Sequence, residues 1–381
     1  MVEGSMTQGA GQGPAMWQGG GATAQGSGFG GAAVPPVAPA QAGPPVHAGA
    51  PAPLLPPVVT SAPVREEPQP GEPEGYTPTE RDLPVINTRN GNGEPEPTLV
   101  DVPAHSTTNE GDGSLFVVGD VHGYLDELRE ALRSAGIIDA QDDWIAGDSR
   151  LWFLGDFTDR GPDGIGVIDL VMDLSAQAAA AGGYCKALMG NHELLLIGAK
   201  RFGDTPVNSS AGTASFQAAW LLNGGQRSDM ERLQDHHVQW MSRLDAMALA
   251  DGHLLLHSDA TCYLDYGRTI DAVNDAVTVA LQRNDADETW DMFRKFTKRF
   301  AFRDGTGPEN ARGLLSVFGG TRIVHGHSPI PYLLGDVGSE DEEAAPDVTG
   351  PHIYADGLAL AMDGGVTMAG KLLVTQLPLA E

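Results

Sequence analysis

Leu115-Phe116-Val117-Val118-Gly119-Asp120-Val121-His122-Gly123 is a run of four apolar residues leading into a carboxylate and an imidazole with glycines on either side. A run this short and this apolar reads as a buried strand. Asp120 and His122 are two residues apart, so in extended backbone both side chains project to one side and one cation can be held by both. The glycines permit close backbone approach and sharp turning. Taken singly, an Asp-x-His pair is read equally well as a satisfied turn, so its meaning depends on whether the arrangement recurs.

It recurs four times. Leu151 to Leu154, Lys186 to Met189, His253 to Leu256 and Arg322 to Val324 read as further buried strands, and each runs into polar residues. Asp156 and Asp159 follow the first of these, Asn191 and His192 the second, His257 and Asp259 the third, and His327 the last. The segments Leu125 to Ser134, Ile165 to Ala181 and His192 to Lys200 carry helical periodicity. Strands interleaved with helices define an α/β fold, and ligand sites in open α/β sheets form at the carboxyl ends of strands. A helical insertion is expected from about Thr213 to Ala250. Leu358 to Met362 and Lys371 to Leu377 read as a closing hairpin with Gly364 and Gly365 in its bend.

The residue types at these strand ends carry chemistry. Gly155-Asp156-Phe157-Thr158-Asp159-Arg160-Gly161 offers a carboxylate able to bridge two ions, a second carboxylate, and an arginine suited to bidentate phosphate contact. The plainer reading makes Asp159 a helix cap. Gly190-Asn191-His192-Glu193 supplies an amide oxygen for a cation and a histidine able to protonate a leaving alkoxide, with Glu193 structural. His257 and the His327 of His325-Gly326-His327-Ser328-Pro329 add two imidazoles. Each alone is more ordinarily a hydrogen-bonded residue.

The ordered set Asp-x-His, Asp-x-x-Asp-Arg, Asn-His-Glu, His and Gly-His resembles the calcineurin-like metallophosphoesterases, in particular the branch with the Ser/Thr phosphoprotein phosphatases and in a bacterial-like form. The resemblance spans Gly119 to His327 and includes Asn223-Gly224-Gly225. The symmetrical diadenosine tetraphosphate hydrolases also tend to carry that segment. The resemblance implies a β-sandwich of two mixed sheets flanked by helices. It implies a first divalent ion on Asp120, His122 and Asp156 and a second on Asp156, Asn191, His257 and His327, with Asp156 bridging. Manganese is the expected metal, and iron or zinc suits the same ligands. By the same resemblance a hydroxide generated between the ions attacks phosphorus in line. His192, oriented by Asp159, then protonates the leaving oxygen, while Arg160 and Asn191 contact substrate. A second phosphate-binding arginine is implied among Arg299, Arg303 and Arg312, with Arg312 taken because a glycine follows it. Asp363 lies in a segment similar to one that closes the site in this family, or is a plain turn carboxylate. One departure is His257-Ser258-Asp259, where family members often show His-Gly-Gly or His-Ala-Gly; it places an extra carboxylate beside the site.

Composition bounds the rest. The first hundred residues hold 18 of the 27 prolines and 17 of the 50 glycines. Met1 to about Thr98 (1–98) is therefore expected to be a disordered arm, and 99–381 the catalytic domain. Pro51 to Pro57 favours polyproline II, so a proline-reading module is the partner such an arm would dock. The whole chain carries a net charge of −28, and residues beyond the first hundred carry 20 basic against 42 acidic side chains. Such a surface repels nucleic acid and anionic membranes, leaving a phosphorylated protein or a small phosphoester as the expected partner. The acidic stretch Glu340 to Asp347 is read as solvated. Two cysteines, Cys185 and Cys262, make no disulfide framework. Without a basic-then-apolar leader or a membrane-length apolar run, the cytoplasm is the expected location. Three functions compete: a protein phosphatase, a dinucleoside polyphosphate hydrolase, and a non-catalytic metal-binding interaction protein.

Overall fold

Apolar alternation sends each strand's side chains to two different environments, and that builds a layered molecule. The computed structural model describes residues 112–209, 212–335 and 348–379, all within the unit Ile86–Glu381. The expected arm 1–98 and the stretch Glu340 to Asp347 lie outside the described residues. One mixed sheet has the order β11-β1-β2-β3, with β1 (Leu115–Val118), β2 (Arg150–Phe153), β3 (Tyr184–Ala187) and β11 (Val374–Leu377). Strands β1, β2 and β3 run parallel, and β11 pairs antiparallel with β1, Leu115 opposite Leu377. The second sheet has the order β6-β7-β8-β10-β9, with β6 (Met247–Ala250), β7 (His253–Leu256), β8 (Arg322–His325), β9 (His352–Tyr354) and β10 (Ala359–Ala361). Here β7, β8 and β10 are parallel and the edge strands β6 and β9 antiparallel.

The two sheets pack face to face. Leu115, Val117 and Trp152 from the first meet Ala248, Ala250, Leu255, Val324 and Leu360 from the second in one buried layer. Their sequence neighbours Val118, Leu151, Phe153, Leu254, Leu256 and Ile323 point outward under the helices, as a period of two requires. The sandwich flanked by helices that the family resemblance implied is present.

Helices cover the outer faces for local reasons. Leu125, Leu128 and Leu132 are buried on α1 (Leu125–Ser134), with Asp126 and Glu127 in its first turn and Arg133 in its last, charges that suit the helix dipole. The Asp163 carboxylate accepts from the Gly166 N–H at 2.7 Å and caps α2 (Gly164–Ala180). Glu193 reaches back to the Gly190 N–H at 3.0 Å and fixes the start of α3 (Asn191–Phe202). Beyond a short hairpin, β4 (Val207–Ser209) with β5 (Gly212–Ala214), come α4 (Phe216–Leu222), α5 (Arg227–Arg232) and α6 (Asp235–Met241). The second sheet is covered by α7 (Ile270–Arg283) and α9 (Gly307–Phe318), α8 (Ala286–Phe296) packs against α3, and the short α10 (Ile330–Leu334) follows β8.

Two expectations are corrected. The insertion stops being helical at Met241, because Met247–Ala250 is strand β6, paired with β7 and buried at three of its four residues. The closing hairpin does not form: β10 pairs in one sheet with β8 and β11 in the other with β1. The intervening chain turns through Gly364 and Gly365, where the Lys371 carbonyl would lie 2.2 Å from a Cβ at Gly364. The two runs are each other's sequence neighbours, but the open strand edges available to them belong to different sheets. Among the described residues no helix is long and apolar enough to cross a membrane.

One buried charge in the insertion makes a stability test. Asp229, fully buried on α5, accepts from the Gly164 and Ile165 N–H groups through Oδ1, while Oδ2 has no hydrogen-bond partner. Burial pushes its carboxyl up to about 6 from 3.8. A folded value above the unfolded one means stability falls as pH rises through that window and stays lower above it. Asp229→Asn keeps an acceptor oxygen without the charge. Its melting temperature should exceed that of the parent by on the order of a few degrees at pH 8, with the gain vanishing near pH 4. An equal gain at both pH values in calorimetry would refute the assignment.

Candidate metal centre and active site

The strand ends turn abruptly to bring their polar side chains together. His122, Asp156, Asp159, Arg160 and His327 all sit at positive φ, from 49° to 70°, a region non-glycine residues seldom occupy and which clusters at functional sites. Asp120, His122, Asp156, Asn191, His257 and His327 are all 3 % exposed or less. Asp156 is the centre. Its Oδ2 lies 3.6 Å from His122 Nε2 and its Oδ1 3.4 Å from His257 Nε2. Asp120 approaches His122 Nε2 at 3.8 Å and accepts the His327 N–H on both oxygens, at 2.9 and 3.0 Å. Glycines let the backbones close in: a Cβ on Gly326 would stand 2.0 Å from Asp120 Oδ1, and one on Gly190 2.2 Å from Asp156 Oδ1.

The donor set fits cations. His257 Nδ1 lies 2.8 Å from the Leu154 carbonyl, which only accepts, so that nitrogen carries the proton. Burial holds His257 below its ordinary value and hence neutral. Its Nε2 is then a bare lone pair facing Asn191 Oδ1 at 2.9 Å, so two acceptors confront each other. His122 shares the Nδ1 orientation, facing the Thr158 carbonyl at 3.2 Å, while its Nε2 lies between the two carboxylates and the Arg160 guanidinium. Burial, with Arg160 beside it, lowers His122 well below the usual range. His327 Nε2 meets the Thr297 carbonyl at 3.1 Å, and its buried Nδ1 has no hydrogen-bond partner. Imidazoles oriented by backbone carbonyls, with bare nitrogens aimed at a central carboxylate, are what divalent ions require. The groups His122–Asp156–His192 and Asp156–His257–His327 are each compact enough to hold one ion.

Beside this cluster stands a second group of polar side chains. His192 Nδ1 is 2.7 Å from Asp159 Oδ2, and the Arg160 guanidinium reaches His122 Nε2 at 3.0 Å and His192 Nε2 at 3.1 Å. Glu193, structural as expected, accepts the Asp156 and Phe157 N–H groups at 2.8 Å each as well as that of Gly190.

The arginine choice is corrected. Arg312 is an exposed residue paired with Asp356 at 2.8 Å, because α9 carries it away from the cluster. Arg299 is the one of the three that reaches it, with Nε 3.1 Å from His327 Nε2. Arg303 stacks over Phe300. Asp259 does not face the cluster as an extra ligand; its oxygens accept the Ser328 hydroxyl at 2.6 Å and the Phe300 N–H at 2.8 Å. His325 turns away to the Tyr354 hydroxyl. Asp363 is buried, with burial and the Asp156 charge raising its carboxyl to about 6, and its own charge acts on Asp120. A third grouping, Asp169–His236–His237, lies elsewhere, and there His237 already uses both nitrogens, accepting from the Gln234 N–H and meeting Asp169 at 2.9 Å. Sequence reading missed Trp220, whose indole N–H donates to Asp159 Oδ1 at 2.7 Å; a tryptophan three residues before Asn223-Gly224-Gly225 was the available signal.

The fold and this cluster define a class: an α/β sandwich with a buried carboxylate and imidazole cradle for divalent ions at its strand ends. The chain belongs to the calcineurin-like phosphoesterase family, whose model matches residues 113–340. Members of that family hold a pair of divalent ions, and this chain supplies candidate ligand groups for them. Shewanella-like protein phosphatase 2 of Arabidopsis thaliana is 34 % identical over 114 residues, 29 % of this chain and 28 % of that protein. A symmetrical bis(5'-nucleosyl)-tetraphosphatase of Bordetella parapertussis is 30 % identical over 160 residues, 42 % of this chain and 48 % of that one. The chain thus spans less than half the length of these curated relatives. A solved structure of a cold-active protein tyrosine phosphatase shares the fold with a TM-score of 0.52 at 20 % identity, covering 71 % of this chain and 75 % of that one. A structure of such an enzyme from a psychrophilic Shewanella species gives 0.50 at 20 % identity, covering 71 % and 77 %.

Glu193→Ala would leave three buried N–H groups unpartnered. At 1 to 3 kcal/mol per buried unsatisfied group, urea unfolding should show a loss of about 3 kcal/mol or more. A loss below about 1 kcal/mol would mean that Glu193 does not hold the strand-end turns.

Proposed function

We propose that this chain is a metal-dependent phosphoesterase that hydrolyses phosphate monoesters in the manner of the protein Ser/Thr phosphatases, with manganese as its metal. The observation that carries the reading is the confrontation of acceptors around Asp156, where neutral imidazole nitrogens, an amide oxygen and carboxylates crowd one buried space. Asp120, His122 and Asp156 would hold one ion, and Asp156, Asn191, His257 and His327 the other. Two divalent ions, when bound, would acidify a water and draw charge from the phosphoryl oxygens. Arg160 and Arg299, cationic groups at opposite sides of the cluster, would grip the phosphoryl oxygens, with Asn191 beside them. His192, with Nδ1 held by Asp159, would carry a second proton on Nε2 and pass it to the leaving oxygen. The family match starts at residue 113, which supports a catalytic domain within 99–381 that does not need the arm.

The alternative reading, a dinucleoside polyphosphate hydrolase, is favoured by the Bordetella relative. The same side chains would serve either substrate, since only the surroundings of the phosphate differ.

Manganese-dependent release of phosphate from p-nitrophenyl phosphate and from phosphoserine peptides is expected. Asp156→Asn should lower kcat at least about 100-fold, the scale lost with a single group that stabilises the transition state. Full turnover by that variant would remove the mechanism. ADP released from diadenosine tetraphosphate, with negligible phosphopeptide turnover, would decide for the alternative. A chain beginning at Thr98 should keep kcat within about twofold, because the family match and every proposed ligand lie within residues 113–340.

A further inference from the structure

The loop carrying Asp159 and Arg160 is poorly suited to hold its own shape. Both residues sit in the left-handed region, at φ 69° and 70°, and two consecutive non-glycine residues persist there only where the surroundings over-determine them. The surroundings come from the insertion. The Trp220 indole N–H donates to Asp159 Oδ1 at 2.7 Å, the Gly224 carbonyl accepts the Arg160 N–H at 2.7 Å, and the Gln226 amide donates to the Arg160 carbonyl at 3.3 Å. Asn223-Gly224-Gly225 makes this approach sterically feasible. A Cβ on Gly224 would stand 2.8 Å from Arg160 Cγ, and one on Gly225 2.3 Å from the Trp220 ring, so the backbone passes between the two with no room for side chains.

Asp159 is thereby gripped from both ends. Trp220 holds Oδ1, and Oδ2 is left to meet His192 Nδ1 at 2.7 Å. The Trp220 side chain is 1 % exposed, so this bond does not compete with bulk water. Building on the proposed hydrolysis, we infer that Trp220 is a positioning residue, its indole N–H fixing the Asp159 carboxylate so that His192 presents Nε2 to the leaving oxygen. In the step served, the oxygen of water bonds phosphorus as the ester P–O bond breaks and the bonding pair departs on the ester oxygen. That oxygen takes the Nε2 proton of His192, and the proton lost by the water is returned to the ring through solvent.

A group that acts through the proton donor matters most where the leaving group is basic. The full-length chain with manganese is therefore compared on phenyl phosphate, whose leaving group is basic, and 2,4-dinitrophenyl phosphate, whose leaving group departs unprotonated. Trp220→Phe removes the N–H, and replacement of Trp220 by its benzothienyl isostere removes it without changing ring size, which guards against a packing failure. Both should lower kcat on phenyl phosphate roughly 10- to 100-fold, with KM and kcat on the dinitrophenyl ester within about threefold. Equal losses on both esters, or none, in the isostere would overturn the inference. Amide exchange reads the same contact without turnover: exchange in peptides covering residues 157–163 should quicken in the isostere while the remaining peptides stay unchanged. If the parent chain hydrolyses neither ester, the phosphoesterase reading and the inference built on it both fall. If it hydrolyses both and the isostere matches it in leaving-group dependence and exchange, only the role of Trp220 falls.

Discussion

A buried space filled with acceptors organises this molecule. Carboxylate oxygens, an amide oxygen and neutral imidazole nitrogens converge on Asp156 with water largely excluded. Such groups repel one another unless positive charge lies among them. Burial lowers the affinity of His122 and His257 for protons, and the backbone carbonyls that face their Nδ1 atoms leave Nε2 turned toward the carboxylates. Left-handed backbone at His122, Asp156 and His327, and glycines pressed against Asp120 and Asp156, are the local consequences of forcing these side chains together.

The sandwich answers that demand from both sides. Strands of one sheet deliver Asp120, Asp156 and Asn191, and strands of the other deliver His257 and His327, so the cluster depends on the two sheets keeping their register. The Arg150 guanidinium, bound at 2.7 and 2.6 Å to the two oxygens of Asp251, ties the start of β2 to the β6–β7 turn. Asp259 does similar work nearer the cluster, joining Ser328 to Phe300 and so the segments that carry His327 and Arg299. A carboxylate that looked like an extra ligand is thus a tie between loops.

Much of the cluster was legible because its ligands follow short apolar runs, and a strand end fixes where the next few residues go. Leu115–Val118 and His253–Leu256 were read at their true limits, since strong apolar runs bounded by polar residues leave little freedom. Met247–Ala250 was misread as helix: four small or flexible apolar residues carry no period, and pairing with β7 decided their state. The expected hairpin failed for a related reason, because two strand-like runs close in sequence reveal nothing about which open edge each will meet. Arg312 and Arg299 could not be ranked by spacing, as both precede the last histidine on helical or turning chain whose direction depends on packing.

The sequence by itself determined the kinds of atom available, their order, and the strand ends at which they occur, because those follow from local patterns of two and of three to four residues. It determined the family as well, through motifs whose spacing is local. Only the tertiary structure decided which arginine reaches the cluster, that Asp259 ties loops together, and that Trp220 grips Asp159. Those facts are contacts between residues 28 to 69 positions apart, and such contacts are set by how separately formed elements pack, which local periodicity does not encode.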